Sequence, residues 1–174
     1  AAFGDGTVFI EKFLERARHV EVQIIGDQHG NVVHLFERDC SMQRRHQKLI
    51  EEAPCPVLDE DTRQELCKSA VRLAKAAKYY GAATVEYLLD QQKNFYLLEV
   101  NTRVQVEHPV TEMITGIDIV KTQIRVAAGL PLPFTQKDIK KNGHAIEVRI
   151  NAEDPDKNFM PSAGLVERFD PPGG

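Results

Sequence analysis

Cysteine is scarce, and its three occurrences, Cys40, Cys55 and Cys67, are odd in number and spaced neither as CxxC nor as a Cys/His metal set. That argues against a disulfide framework and a structural zinc site and favours free thiols in a reducing compartment. An excess of positive charge is missing too: 22 Lys and Arg stand against 26 Asp and Glu, a formal net charge of -4. No overall positive field is available to hold nucleic acid, so anionic ligands must meet local basic groups. Long apolar runs are absent. No segment, Ile114–Ile117 included, approaches the roughly 18 apolar residues that cross a bilayer, and no basic-then-apolar leader follows Ala1. Also lacking are the GxxxxGK[ST] phosphate loop, the GxGxxG fingerprint and the GxSxG elbow, so a nucleotide would have to be held by another device. What is present is 174 residues, 42% hydrophobic and 28% charged, enough apolar material for a folded core.

From Val8 to Phe36 the pattern is mostly period two, with Phe9, Ile10, Phe13 and Leu14 ahead of the clearest alternation, and reads as strand. Val20, Val22 and Ile24 alternate with His19, Glu21 and Gln23, and the turn formers of Gly26–Asn31 separate Val20–Ile25 from Val32–Phe36. This predicts an antiparallel hairpin followed by a polar stretch, Glu37–Lys48. Pro54 and Pro56 interrupt the pattern. Asp59 then caps a helix with an apolar stripe of Leu66, Ala70, Leu73, Ala74 and Ala77, closed by Gly81 as its C′ residue. Thr84–Leu89 and Phe95–Arg103 read as strands joined by a polar loop, and a second helix carries Ile117, Val120, Ile124 and Ala127 until Gly129 and Pro131. Residues 131–143 read as a connector, beyond which His144–Asn151 alternates like a strand entering a new unit. Both ends look like cuts in a longer protein.

Strand parity brings chemistry together. Glu99, Asn101 and Arg103 share one face, with Gln105 and Glu107 if the extended chain continues, while Leu98 and Val100 take the other. A loop centred between Gln92 and Lys93 sets Val85 opposite Val100, Tyr87 opposite Leu98 and Leu89 opposite Tyr96, which puts Glu86 opposite Glu99. Like charges in that position destabilise a sheet, so the pair calls for a cation, and hard oxygen ligands with the Asn101 amide select Mg²⁺ or Mn²⁺. Phosphoryl transfer from a nucleotide follows, the alternative being two exposed carboxylates on a solvated face; spacing leaves both open. In Gln43–Lys48, extension would put Arg44, His46 and Lys48 on one face and Gln43, Arg45 and Gln47 on the other, either an anion site or a solvated charge run. By pattern alone His19 and His144 read as structural histidines, and Cys40 and Cys55 as buried small apolar residues.

Two long motifs then resemble the signatures of biotin carboxylases, the ATP-grasp components of biotin-dependent carboxylases: Glu37–Lys48, ERDCSMQRRHQK, and Glu99–Glu112, EVNTRVQVEHPVTE. The resemblance extends through His19-Val20-Glu21 and Arg149–Pro155, nearly the whole chain, and is nearest to the biotin carboxylase of acetyl-CoA carboxylase, an enzyme of fatty acid biosynthesis. Pyruvate, propionyl-CoA and methylcrotonyl-CoA carboxylases share these motifs. The resemblance implies an α+β fold: residues 1–130 as the C-terminal half of an ATP-grasp domain, an antiparallel sheet with flanking helices, and 144–174 as the start of the biotin carboxylase C-terminal domain. It implies ATP contacts at Glu11, Lys12, Leu14, His19, Gln43, His46, Glu86, Leu88 and Glu99, and two Mg²⁺ or Mn²⁺ ions held by Glu86, Glu99 and Asn101. A bicarbonate pocket would comprise Lys48, Arg103, Gln105 and Val106, with Glu107 as general base and Arg149 facing biotin. Lys48, Arg103, Glu107 and Arg149 would form the catalytic set.

The implied reaction is ATP- and bicarbonate-dependent carboxylation of biotin through carboxyphosphate. Its implied partners are a biotin carboxyl carrier protein, a carboxyltransferase and a second copy of the full-length enzyme, in bacterial or archaeal cytoplasm or in the mitochondrial matrix. The family's N-terminal domain and glycine-rich lid precede the start of these residues, so this segment alone is expected to turn over ATP poorly. The competing readings are another ATP-grasp ligase joining a carboxylate to an amine, and a fragment serving only as a binding or oligomerisation module.

Overall fold

The structure, a computed structural model, describes Gly4 and residues 6–171; Ala1 and the final Pro172-Gly173-Gly174 lie outside the described residues. Alternating buried apolar residues build a six-stranded antiparallel sheet in the order β5-β4-β1-β2-β3-β6. Its strands are β1 (Arg18–Gly26), β2 (Val32–Arg44), β3 (Gln47–Ala53), β4 (Gly81–Leu89), β5 (Phe95–Asn101) and β6 (Ala145–Val148). The strand expected from Val8 is met only from Arg18 onward. A small ribbon of β7 (Glu153–Asp154) and β8 (Met160–Pro161) follows. Three helices, α1 (Glu60–Ala76), α2 (His108–Thr115) and α3 (Ile119–Ala127), flank the sheet.

One sheet face belongs to α1. Val20, Val22 and Ile24 of β1 and Val85 and Tyr87 of β4 pack with Leu66, Ala70 and Ala74 of the helix. Asp59 caps α1 as expected, accepting from the Thr62 amide at 2.9 Å. The helix stops at Ala76, however, earlier than Gly81: Lys78 takes the left-handed turn (φ 51°), and Gly81 (φ 98°) opens β4 opposite Gly26. The other face buries Ile25, Leu35 and Val33 against Val110 and Ile114 of α2 and Ile119 of α3.

β2 serves both faces because it bulges. Leu35 and Phe36 together oppose Gln23, and Phe36 holds a left-handed φ of 65°. The extra residue flips the alternation. Leu35 and Arg38 therefore share the α2 face, whereas Glu37 points to α1 and accepts from Arg63 at 2.6 Å. A second irregularity modifies the expected register of β4 and β5: Val85↔Val100 and Glu86↔Glu99 hold, but Tyr87 pairs with Leu97 and Leu89 with Phe95. Leu98 is the additional residue.

Two expectations fail where a turn intervenes. Gln43–Lys48 is not one extended face, since Arg45 and His46 (φ 53° and 64°) form a two-residue hairpin turn between Arg44 and Gln47. β5 ends at Asn101, short of the expected Arg103, and an unexpected helix, α2, starts after Glu107 and ends at Gly116 (φ 69°); the expected second helix is α3, which Asp118 caps by accepting from the Lys121 amide at 2.7 Å. The connector is hydrogen-bonded to β2 where Gln136 accepts from the His34 amide at 2.9 Å and donates to its carbonyl at 3.1 Å, and its Ile139 packs into the apolar cluster on the α2 face. β6 then joins β3, with Ile50 opposite Val148.

Candidate active site

Register alone places a row of four charged groups across the α2 face: Arg38 opposite Glu21, Glu21 opposite Glu86, and Glu86 opposite Glu99. Three adjacent carboxylates on neighbouring strands repel one another, so the row needs cations. Arg38 supplies one from beneath and Lys48, carried in by the β2–β3 hairpin, supplies another from above. The Lys48 ammonium lies 2.6 Å from Glu21 Oε2, 2.8 Å from Glu86 Oε1 and 2.7 Å from Glu107 Oε1, so its three donors meet three carboxylates.

The side chains of Lys48, Glu86 and Glu107 line a cleft of about 540 Å³ with His19, Gln43, His46, Glu99, Asn101, Arg103, Gln105, Val106 and Arg149. Twelve residues from five separate stretches of sequence thus converge. A contiguous hollow, lined by Leu14, His19, Gln43, His46 and Leu88, extends the cleft. Glu11 and Lys12 are exposed and line neither hollow, so the structure does not bring them to the other expected residues.

Each buried carboxylate has a definite setting. Burial pushes the Glu86 carboxyl up, but the His19 ring nitrogen at 2.6 Å and the Lys48 ammonium outweigh it and hold the group well below the usual carboxylate range. Glu86 Oε1 also accepts from Asn101 at 2.9 Å and Gln105 at 3.2 Å. Asn101 reaches Glu99 as well, at 3.1 Å, so its amide bridges the two opposed acids. Burial likewise raises Glu107, and the hydrogen bond and charge of Lys48 bring it below its ordinary value. Lys48 is itself desolvated, yet Glu21 and Glu107 keep it charged well above the usual lysine range. Arg149 closes the far side, 2.8 Å from Glu107 Oε2 and 2.6 Å from Glu51 Oε1. Desolvation raises Glu51 despite that partner. Arg103 stands differently: its guanidinium is exposed and meets the carbonyl of Val104 at 3.3 Å, leaving donors directed at solvent in the cleft.

Sequence reasoning missed Glu21, Arg38 and Glu51. Glu21 carried a signal, because it shares strand parity with His19 and Gln23; Arg38 did not, because the bulge at Phe36 reverses its parity. His19, read as structural from pattern alone, sits beside Glu86 in the cleft, while His144 lies 3.4 Å from Glu52 away from it. Cys40 and Cys55 are buried free thiols as expected, and burial pushes Cys55 up to about 12. Among the described residues, ligand atoms close enough to share one ion occur in His19–Glu21–Glu86 and Glu21–Cys40–Glu107. Both sets contain carboxylates that Lys48 already neutralises.

A family model described as "Carbamoyl-phosphate synthase L chain, ATP binding domain" matches residues 1–135. The chain belongs to that family. This ATP-binding domain is 61% identical over 170 residues to Biotin carboxylase 2 of Bacillus subtilis, covering 98% of this chain and 38% of that protein. It is 60% identical to the mitochondrial methylcrotonoyl-CoA carboxylase subunit alpha of Rattus norvegicus, over 98% of this chain and 24% of that one. Among solved structures, the biotin carboxylase domain dimer of Hydrogenobacter thermophilus 2-oxoglutarate carboxylase superposes with a TM-score of 0.89 at 55% identity, over 94% of this chain and 36% of that one. That crystal contains MgADP, ADP and bicarbonate. The chain therefore spans well under half the length of the relatives it matches, and it is a biotin carboxylase homologue with an antiparallel sheet and flanking helices of the same kind.

Proposed function

We propose that this cleft is the bicarbonate- and metal-binding half of a biotin carboxylase site, acting in ATP- and bicarbonate-dependent carboxylation of biotin on a carrier protein. The observation that carries the reading is the Lys48 ammonium held by Glu21, Glu86 and Glu107 within 2.8 Å, with Arg149 on the far oxygen of Glu107. An anion entering beside this desolvated lysine would take over a donor now held by one of the three carboxylates, and Arg103 adds donors at the rim that no carboxylate holds.

Glu107 is ionised across the neutral range, the state a proton acceptor needs. As a bound anion draws Lys48 toward itself, Glu107 loses part of the charge that depresses it and becomes a better base for the bicarbonate proton. Once protonated, it no longer pairs with Arg149, and that planar donor is released toward negative charge developing on the biotin ureido oxygen. His19, Gln43, His46, Leu14 and Leu88, gathered in the adjoining hollow, form the nucleotide side.

Glu86 and Glu99 set two carboxylates opposite one another on paired strands, the ligand type a hard divalent ion takes; the Asn101 amide nitrogen bridges them here, and its carbonyl oxygen would turn inward to join an ion that replaced those hydrogen bonds. When bound there, Mg²⁺ or Mn²⁺ would spread the charge of the phosphates.

The similarity is as high to a methylcrotonoyl-CoA carboxylase subunit as to a stand-alone bacterial protein, so the reading is a biotin carboxylase common to biotin-dependent carboxylases. The narrower reading, the acetyl-CoA enzyme of fatty acid biosynthesis, is supported by the motif resemblance alone. Partners would be a carrier protein, a carboxyltransferase and a second copy of the full-length chain, the last in line with the dimeric neighbour. The compartment would be cytoplasm or mitochondrial matrix, given relatives from a bacterium and from mitochondria. No helix among the described residues is long and apolar enough to cross a membrane. The exposed apolar Ile150, Leu165, Val166 and Phe169 support reading 144–174 as the opening of a further domain.

Bicarbonate-dependent ATP cleavage, measured with free biotin on the full-length enzyme, tests the reading. Lys48→Met is expected to lower kcat by roughly 10²–10³, and Glu99→Gln to raise the Mg²⁺ needed for half-maximal rate by about tenfold. ATP cleavage that ignores bicarbonate, or that survives Lys48→Met, would sink it.

A further inference from the structure

Arg38 lies fully buried beneath the cleft without lining it. We propose that Arg38 is a positioning residue: its guanidinium fixes Glu21 and helix α2 to one sheet face and so sets the separation between the Lys48 ammonium and the Glu107 carboxylate. The inference rests on the biotin carboxylase reading of the cleft and deepens it.

The contacts run to three elements. Arg38 Nε donates to Glu21 Oε1 at 2.6 Å, one Nη to Gln23 Oε1 at 2.8 Å and Thr111 Oγ1 at 2.9 Å, and the other Nη to Thr84 Oγ1 at 3.2 Å. Glu21 and Gln23 belong to β1, Thr84 to β4 and Thr111 to α2. Two lines of contact leave the guanidinium and meet again. Through Glu21, whose second oxygen accepts from Lys48 at 2.6 Å, Arg38 fixes the ammonium from below. Through Thr111, one helical turn beyond the N-cap residue Glu107, it fixes the backbone that carries the base, and Glu107 Oε1 accepts from the same ammonium at 2.7 Å.

A buried charge pair is weak grounds for a purely stabilising role, since packed apolar residues would serve stability as well. What apolar residues could not do is hold four polar acceptors in a fixed plane, which a rigid guanidinium fork does. The left-handed bulge at Phe36 turns Arg38 to this face; regular alternation would send it toward α1.

The test uses the full-length enzyme with Arg38→Lys and Thr111→Val. Arg38→Lys keeps a charge opposite Glu21, but a single ammonium cannot span Gln23, Thr84 and Thr111. Its kcat for bicarbonate-dependent ATP cleavage is expected to fall about tenfold or more through misplacement of the reacting groups. KM for MgATP should stay within about twofold, because the nucleotide-side residues do not touch Arg38. Thr111→Val cuts the helix link alone. Its crystal structure should show the Lys48–Glu107 contact lengthened from 2.7 Å to beyond about 3.5 Å, past hydrogen-bonding range. An unchanged contact with unchanged kcat overturns the proposal, as does a loss of activity that merely follows the fraction of folded enzyme. Should Arg38→Lys fail to fold, Thr111→Val decides by the same two readouts. If the parent enzyme cleaves ATP without regard to bicarbonate, the reading of the cleft falls, and the distance in Thr111→Val still judges the role of Arg38.

Discussion

His34 shows how far a single buried side chain can tie stability to pH. It is enclosed between Phe36 and the connector, and burial, helped by the Lys68 charge, pushes its pKa down to about 4 from 6.5. The unfolded chain therefore binds a proton that the folded chain resists. The neutral ring contributes stability that is fully present above pH 6.5 and is lost as pH falls toward 4. The shift corresponds to about 3 kcal/mol at most. His34→Phe keeps an aromatic ring and removes the proton site, so urea midpoints at pH 7 and pH 4.5 should lie closer together than in the parent. An undiminished gap would contradict this. Glu86 and Glu107 act in a lower window: their folded values are depressed, so their contribution persists above the ordinary glutamate range and disappears only as pH falls below it.

At the scale of elements, α1 rests on its cap. Asp59 accepts from the Thr62 amide at 2.9 Å with one oxygen and from Lys93 at 2.8 Å with the other. Asp59→Ala should cost about 1 kcal/mol in chemical denaturation, with little change in cleft chemistry because α1 lies on the opposite sheet face. This helix and the first hairpin were legible in the sequence because each rests on local rules: a cap, an apolar stripe and a turn-forming loop. Glu86 opposite Glu99 came out as expected because two departures cancel: next to the loop the strands pair one residue away from the expected register, and the bulge at Leu98 restores it. The turn at Arg45–His46 was hidden because neither residue is glycine or asparagine, although both hold positive φ. α2 was hidden because EVNTRVQVEH continues the strand alternation past Asn101, where the backbone has already left the sheet. Pro109, in the first turn of α2, was the overlooked signal. Arg38 and Glu51 draw their settings from bulges and from β6, which no short-range pattern encodes.

Taken whole, the molecule is a sheet with two unlike sides. Leu66 of α1 and Ile114 of α2 are equally buried in separate clusters, so either change to alanine should cost about 2–5 kcal/mol. They should differ in activity. At a temperature where both variants are folded, Leu66→Ala should keep the kcat of the full-length enzyme, whereas Ile114→Ala, which loosens the helix carrying Thr111 behind Glu107, should lower it. Equal effects on kcat would contradict this division. The sheet is also asymmetric along its width. Glu99 and Asn101 ride on β5, the outermost strand, hydrogen-bonded among the described residues to β4 alone. A strand tethered along one margin opens more readily than an interior one. An ion bridging Glu99 to Glu86 would therefore act as a rivet through that margin: amide hydrogen exchange in Phe95–Asn101 should slow when Mg²⁺ is added, while exchange in the interior strand β1 stays as it was.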